Sequence, residues 1–225
     1  SELENLQVSI KSNKDFVTSA DLKADKILKT ELLHARSTYS FLSEESEEII
    51  GEDPSNGWIV DPLDGTINYM HGFPHWAISI ALERNKEIIA AVTYDPIKNE
   101  MFWAEKGCGS YLNDKKIRVS GRSSTRDALI SYGVLEKSTP LGDIPNSAKI
   151  RRTGSTTLNM AYLAAGRLDV LYSAPNPSKW DVAAGILLIK EAGGVLADIN
   201  GKLTNDYKKI AIMTNVNLLP LTVKN

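Results

Sequence analysis

Cysteine is nearly absent: Cys108 is the one thiol in 225 residues. An internal disulfide framework is therefore excluded, and a reducing, cytoplasmic compartment is expected. Cys108 sits between Gly107 and Gly109 in a turn with no histidine matched to it, which reads as a structural thiol. Histidine is scarce as well. His34, His71 and His75 have no second His or Cys at metal-ligand spacing, so each reads as packing or loop polarity rather than as a zinc ligand. No apolar run is long enough to span a bilayer, and no secretory pattern opens the chain, so neither a membrane partner nor export is expected. Charge of one sign is also lacking. With 26 Lys and Arg against 28 Asp and Glu, the formal net charge is −2, which leaves no global field to draw nucleic acid or an anionic membrane. There is no internal repeat or low-complexity segment. The first residue is Ser1 rather than methionine, from which a longer parent chain is expected.

The most informative stretch is WIVDPLDGTINY, residues 58–69. Trp58, Ile59 and Val60 read as a short buried strand that stops at Asp61 and Pro62, because proline cannot continue a sheet ladder. Asp61 and Asp64 then occupy the turn that follows. Mg²⁺ takes oxygen ligands and is commonly held by one or two carboxylates together with substrate phosphate oxygens, so this spacing suits two ions bridged by Asp61. Gly65 and Thr66 come where a chain entering a helical turn leaves N–H groups unpaired, and such groups receive phosphate. A plain surface turn is the competing reading, since Asp, Pro, Gly and Asn cluster in turns. An apolar strand that delivers carboxylates and then a Gly-Thr step is more than such a turn requires.

Residues 1–16 read as a loop, and residues 18–35 as a helix with a Thr18/Asp21 capping box. Residues 39–42 predict a strand leading into acidic SEES, which contains Glu44. Beyond the central stretch, residues 77–82, 88–94, 101–105 and 116–119 alternate with turn signals and predict an antiparallel meander. SGRSS, residues 120–124, marks a boundary between an N-terminal α+β half (1–124) and a C-terminal α/β half (125–225) of one catalytic unit. The second half reads as strands at 128–131 and 149–152, a helix from Thr156 closed by Gly166, and a strand at 168–172. Proline-bearing SAPNPSKW is irregular. Asp181 then opens a helix apolar on nearly every side, hence buried, which Gly193 and Gly194 stop. Strands at 195–199 and 210–214 follow.

Asp21, Glu44, Asp61, Asp64 and Asp181 each fall at or just after the end of a predicted element, where side chains can converge. Plainer roles stand beside this one: Asp21 and Asp181 as helix caps, Glu44 as a solvated acid. Five carboxylates without cations repel one another, whereas Mg²⁺ makes of them a phosphoryl-transfer site.

DPLDGTINY resembles the first signature of the inositol monophosphatase family, WDVAAGILLIKEAGG its second, and VTSAD with FLSEES its upstream acidic sites. The resemblance covers the chain from Lys14 onward. It implies a layered αβαβα sugar-phosphatase fold of the α/β class, with an antiparallel N-terminal sheet and a smaller C-terminal α/β half. It also implies a Mg²⁺-dependent, Li⁺-sensitive phosphomonoesterase. By this resemblance Glu44, Asp61 and the Leu63 carbonyl hold one Mg²⁺, while Asp61, Asp64 and Asp181 hold a second. A third sits near Glu44, which counts with Asp21 and Thr66 as catalytic. Asp21 pairs with Thr66 to orient and help deprotonate the attacking water, the Gly65 and Thr66 amides receive the phosphate, and Asp64 and Asp181 also face the substrate. The implied substrate is inositol 1-phosphate or a related sugar or polyol phosphate, with fructose 1,6-bisphosphate or 3′-phosphoadenosine 5′-phosphate as the alternative. A transcription-associated binding role is a further alternative. The resemblance also implies a homodimer, for which Trp76 and Trp103 are candidate interface aromatics. The chain departs from the family pattern where the alcohol is recognised: animal members carry a glutamate at the position of Ala174. Arg152 in RRTGS either adds a cation near the alcohol or is a solvent-facing strand end. The connection from 133 to 147 is shorter than in the family.

Overall fold

A computed structural model describes residues 8–12, 15–133, 149–174 and 176–223, with side chains from Val17 onward. The shortened connection expected after Gly133 lies outside the described residues. The chain opens with an antiparallel hairpin of β1 (Val8–Ser12) and β2 (Asp15–Thr18), then α1 (Ser19–Ala35), β3 (Tyr39–Ser43), β4 (Asp53–Asp64) and the short α2 (Thr66–Met70). A meander follows: β5 (Ala77–Arg84), β6 (Glu87–Asp95), β7 (Glu100–Glu105), β8 (Gly109–Leu112) and β9 (Lys115–Ile117). Next come β10 (Leu129–Tyr132), β11 (Lys149–Arg151), α3 (Thr156–Ala164), β12 (Val170–Tyr172), α4 (Lys179–Glu191), β13 (Val195–Ala197), β14 (Ile212–Thr214) and α5 (Leu219–Thr222).

The strands form a seven-stranded sheet in the order β3-β4-β5-β6-β7-β8-β9 and a five-stranded sheet in the order β11-β10-β12-β14-β13. Helices α3 and α4 lie between them. Across the larger sheet, Ile59, Ala81, Ala91, Ala104 and Ser110 stand in one cross-strand row. The three alanines in it leave room for α4, whose Val182, Leu188 and Ile189 are fully buried in the same core. Ser110 Oγ donates to the Leu188 carbonyl at 2.6 Å and fixes the crossing. The opposite face of this sheet carries α1 over Phe41 and Val60, while α5 covers Ile130, Val170 and Ile212 on the far face of the smaller sheet. The result is the layered αβαβα arrangement.

Several expectations need correction. Residues 1–16 are not all loop, since the β1–β2 hairpin leads straight into the cap of α1. The larger sheet is not wholly antiparallel: β3 pairs parallel with β4, with Ser43 opposite Val60. β4 does not end at Pro62. The ladder with β5 runs to Asp61 opposite Ser79, slips, and resumes at Asp64 opposite Ala77. Proline has no N–H to offer, so the strand bulges there instead of stopping. The turn reading at Gly107–Gly109 misses β8, and α4 begins two residues before Asp181, with Ser178 as its N-cap.

Helix α4 also sets a stability test. Gly185 faces Met160 of α3 so closely that a Cβ would lie 2.5 Å from Met160 Cβ. Helix propensity alone favours alanine over glycine by about 1 kcal/mol, but overpacking a tight core costs about 1–3 kcal/mol. Packing should win, so Gly185→Ala is expected to lower the urea midpoint; a midpoint at or above that of the parent contradicts this helix contact.

Candidate active site

The parallel β3–β4 pair places two strand ends at the same end of the sheet. Glu44 follows β3 there, its N–H donating to the Val60 carbonyl at 3.3 Å, and Asp61 is the next residue of β4. Residues three apart on a regular strand face opposite sides, but the one-residue bulge at Pro62 resets the alternation, and Asp61 and Asp64 both line one cavity. Asp181 arrives from the first turn of α4, where its carboxylate accepts the Ser178 N–H at 3.3 Å. Ligand oxygens of Glu44, Asp61 and Asp181 lie within 4.8 Å of one another. Asp61 is 1% exposed. Burial pushes its carboxyl well above the usual carboxylate range, and the charges of Asp64, Glu44 and Asp181 push it further, against the Leu63 N–H that donates to Asp61 Oδ1 at 3.1 Å. Hard oxygen donors that repel one another at this separation fit a small divalent cation, which removes the repulsion when bound.

Asp64 stands apart from this trio. Its Oδ2 accepts from Ser155 Oγ at 2.5 Å and from both N–H and Oγ1 of Thr157 at 2.7 Å. It thereby takes one N–H of the first turn of α3, where the Ser155 hydroxyl accepts the Leu158 N–H at 3.3 Å. Asp21 is likewise shared. One oxygen takes the N–H and hydroxyl of Thr18 in the expected capping box, and the other lies 3.0 Å from Thr66 Oγ1. The Thr66 hydroxyl is also 3.2 Å from the Leu63 carbonyl. It has one proton to give, and the carboxylate is the stronger acceptor. Gly65 turns the chain at φ 98°, and its Cα faces the His75 carbonyl and Trp76, so both conformation and space call for glycine.

Glu44, Asp61, Asp64, Gly65, Thr66 and Asp181 line a cavity of about 610 Å³. Its floor is Glu44, Asp61, Asp64 and Asp181, and one wall is the turn from Leu63 to Asn68. The other wall is Tyr132, Gly133, Arg152, Gly154, Ser155, Thr156 and Asn159. Arg152 is therefore both exposed and at the cavity. Asp21 lies one step behind, reaching it through Thr66. Sequence reasoning missed Ser155 and Thr157, although a serine just before a predicted helix start is a cap signal. It also missed Asn68, Tyr132 and Asn159, and nothing local distinguishes Tyr132. Cys108, His34 and His71 are exposed and do not line the cavity. Ala174 packs beside Gly133 at its edge. No helix among the described residues is long and apolar enough to cross a membrane.

A layered αβαβα fold with an acidic cluster at the strand ends defines a metal-dependent phosphatase class. The chain belongs to the inositol monophosphatase family, whose model matches residues 1–223. It is 47% identical to the inositol-1-monophosphatase of Rhizobium meliloti (strain 1021), covering 89% of this chain and 78% of that protein. It is 40% identical to the Nus factor SuhB of Xylella fastidiosa (strain Temecula1), covering 89% and 75%. The crystal structure of the extragenic suppressor protein suhB from Bartonella henselae matches with a TM-score of 0.92 at 45% identity, covering 98% of this chain and 88% of that one.

Behind Gly65, His75 is 8% exposed and its ring packs edge-on against Tyr162. Burial and the nearby Lys98 ammonium hold its imidazole below the ordinary range. The unfolded chain, titrating at about 6.5, then binds more protons than the folded one, so stability falls as pH drops through that value. His75's share of the unfolding free energy should decrease from pH 7.5 to 5.5, while the raised carboxyl of Asp61 works in the opposite direction, so the expected outcome is a difference: acidification should cost His75→Phe less stability than it costs the parent. Urea titrations with identical slopes in both proteins would refute the assignment.

Proposed function

We propose that the chain is a Mg²⁺-dependent phosphomonoesterase that hydrolyses inositol 1-phosphate or a related sugar or polyol phosphate by direct attack of water. The observation that carries this reading is the convergence of Glu44, Asp61 and Asp181 beside the Gly65–Thr66 turn in one cavity. Glu44, Asp61 and the Leu63 carbonyl would hold one Mg²⁺, and Asp61, Asp64 and Asp181 a second, with room for a third near Glu44. Bound Mg²⁺ supplies acidification of water and neutralisation of phosphate charge. The protein's own groups supply position and proton transfer. Thr66 Oγ1 takes the proton of the attacking water as its own passes to Asp21 Oδ1, 3.0 Å away. The Gly65 and Thr66 amides donate to the phosphate oxygens, and Asp64 and Asp181 accept from hydroxyls of the alcohol half. Arg152 sits on the wall facing that half. Ala174 stands where animal members of the family carry an inositol-contacting glutamate, and the hydrolytic step does not need that acid, so related polyol phosphates belong in the same proposal.

A binding role is the second reading, favoured by the relative named a Nus factor. Retention of a captured partner by a metal-site variant would support it as an added activity. Assembly as a cytoplasmic homodimer also belongs to the proposal. Trp103, half-buried and stacked on Tyr111 at 4.4 Å, lies on the sheet face away from α4 and offers apolar surface to a second copy. Sedimentation as a monomer would remove that element alone.

The enzymatic reading is tested with a substrate panel: inositol 1-phosphate, sugar and polyol monophosphates, fructose 1,6-bisphosphate and 3′-phosphoadenosine 5′-phosphate, each with and without Mg²⁺ and Li⁺. Monoester turnover should require Mg²⁺ and fall with Li⁺. Asp61→Asn, which keeps the side-chain shape and can still accept the Leu63 N–H, should lose about 10³-fold or more in kcat/KM. Undiminished turnover in that variant would end the proposal, and a higher kcat/KM on a bisphosphate would redirect it.

A further inference from the structure

Asn68, a half-buried residue of α2, has no part in the roles assigned above. Its Nδ2 donates to the His75 carbonyl at 2.7 Å and to the Thr153 carbonyl at 2.8 Å, so both amide protons go to backbone acceptors far apart in sequence. The next residue, Gly154, has φ 83°, and a Cβ there would lie 2.9 Å from the Asn68 amide. The bare Cα and the amide are thus in direct contact. Four residues earlier, at the end of β4, Asp64 grips the same segment through Ser155 and Thr157. Asp64 and Asn68 thus reach together, from the end of β4 and from α2, to the connection between β11 and α3 and its first turn. The cavity lies between these two segments.

The two grips differ in kind. Asp64 is charged, and a cation bound beside it competes with α3 for its electrons. Asn68 is neutral, its two bonds do not depend on metal or protonation, and a donor pair satisfied by backbone carbonyls is costly to leave unmade. We propose that Asn68 is a positioning residue, a neutral clamp that holds the phosphate-receiving turn at its working distance from the wall bearing Arg152 and Gly154. This inference rests on the phosphomonoesterase reading. It places Asn68 outside contact with the substrate and makes its effect on rate indirect, through the aim of the Gly65 and Thr66 amides. Displacement of such groups by about 1 Å can cost about 10²-fold in rate.

The test uses the full chain with Asn68→Ala and Asn68→Asp, assayed with inositol 1-phosphate at saturating Mg²⁺, well below each protein's melting temperature, with rates corrected for the folded fraction. Asn68→Ala should lower kcat by about 10- to 100-fold while KM changes less than about threefold. Asn68→Asp preserves size but sets a carboxylate against two carbonyls, so it should be the worse of the two; a packing role would rank it the better. If Asn68→Asp does not fold, Asn68→Ala decides alone. Wild-type turnover with Asn68→Ala within twofold in kcat overturns the clamp and leaves the enzymatic reading intact. If the wild type turns over no ester on the panel, the enzymatic reading fails, and calorimetric binding of inorganic phosphate with Mg²⁺ judges the clamp. There, binding at least tenfold weaker in Asn68→Ala supports it, whereas equal affinity, or no phosphate binding by the wild type, overturns it.

Discussion

Carboxylates crowded at one end of a sheet repel one another, and the structure depends on keeping them there. It does so by giving four of them a second attachment to backbone. Asp21 caps α1 through Thr18, Asp61 takes the Leu63 N–H, Asp64 holds the first turn of α3, and Asp181 takes the Ser178 N–H ahead of α4. Caps of this sort contribute about 0.5–2 kcal/mol each, so several together weigh against the repulsion that raises Asp61. Cap and cation ligand are therefore not rival readings of these residues. Side chains that serve a helix start, Asp64 and Asp181, are also brought to the cavity, and Asp21 lies one step behind it.

The layering serves that convergence. α4 can run close to the larger sheet because Ala81, Ala91 and Ala104 stand under it, and bulkier residues would lift its first turn, and Asp181 with it, away from Asp61. The far end of the helix is held as well, with Glu191 accepting the N–H groups of Gly107 and Gly109 at 2.8 Å each. A helix anchored along its length transmits its position to its N-terminus. Its buried apolar sides are in that sense a condition for the acidic site.

Much of this was legible in the sequence. Helical spacing and the Thr18/Asp21 pair located α1, turn signals located the meander apart from β8, the two long motifs located Asp61, Asp64 and Asp181, and the shorter VTSAD and FLSEES located Asp21 and Glu44. What was not legible depended on pairing between strands. The parallel β3–β4 register that sets Glu44 beside Asp61 arises because the segment after β3 doubles back, with Ile49 bridging Phe41, before β4 enters on the other edge. Nothing in SEESEEIIGE announces that path. Pro62 is visible as a break in any sequence reading, yet here it makes a bulge, since pairing with β5 on the far side is strong enough to resume. Ser155, Thr157 and Asn68 escaped notice because their partners are remote in the chain, and a polar residue at a helix start looks the same whether it serves its own helix or another segment.

The bulge also explains why the acidic pair must be separated as it is. Were Pro62 replaced by a residue able to continue the ladder in strict alternation, Asp61 and Asp64 would point to opposite faces of the larger sheet. One would face the α3–α4 layer, the other the α1 layer, and α3 would lose the acceptor for its Thr157 N–H. With the bulge, a single strand end delivers one carboxylate to the acidic trio and the next to the helix that forms the opposite wall. The spacing of DPLD is thus a statement about strand geometry before it is one about chemistry, and the site inherits its two-walled shape from that one irregularity.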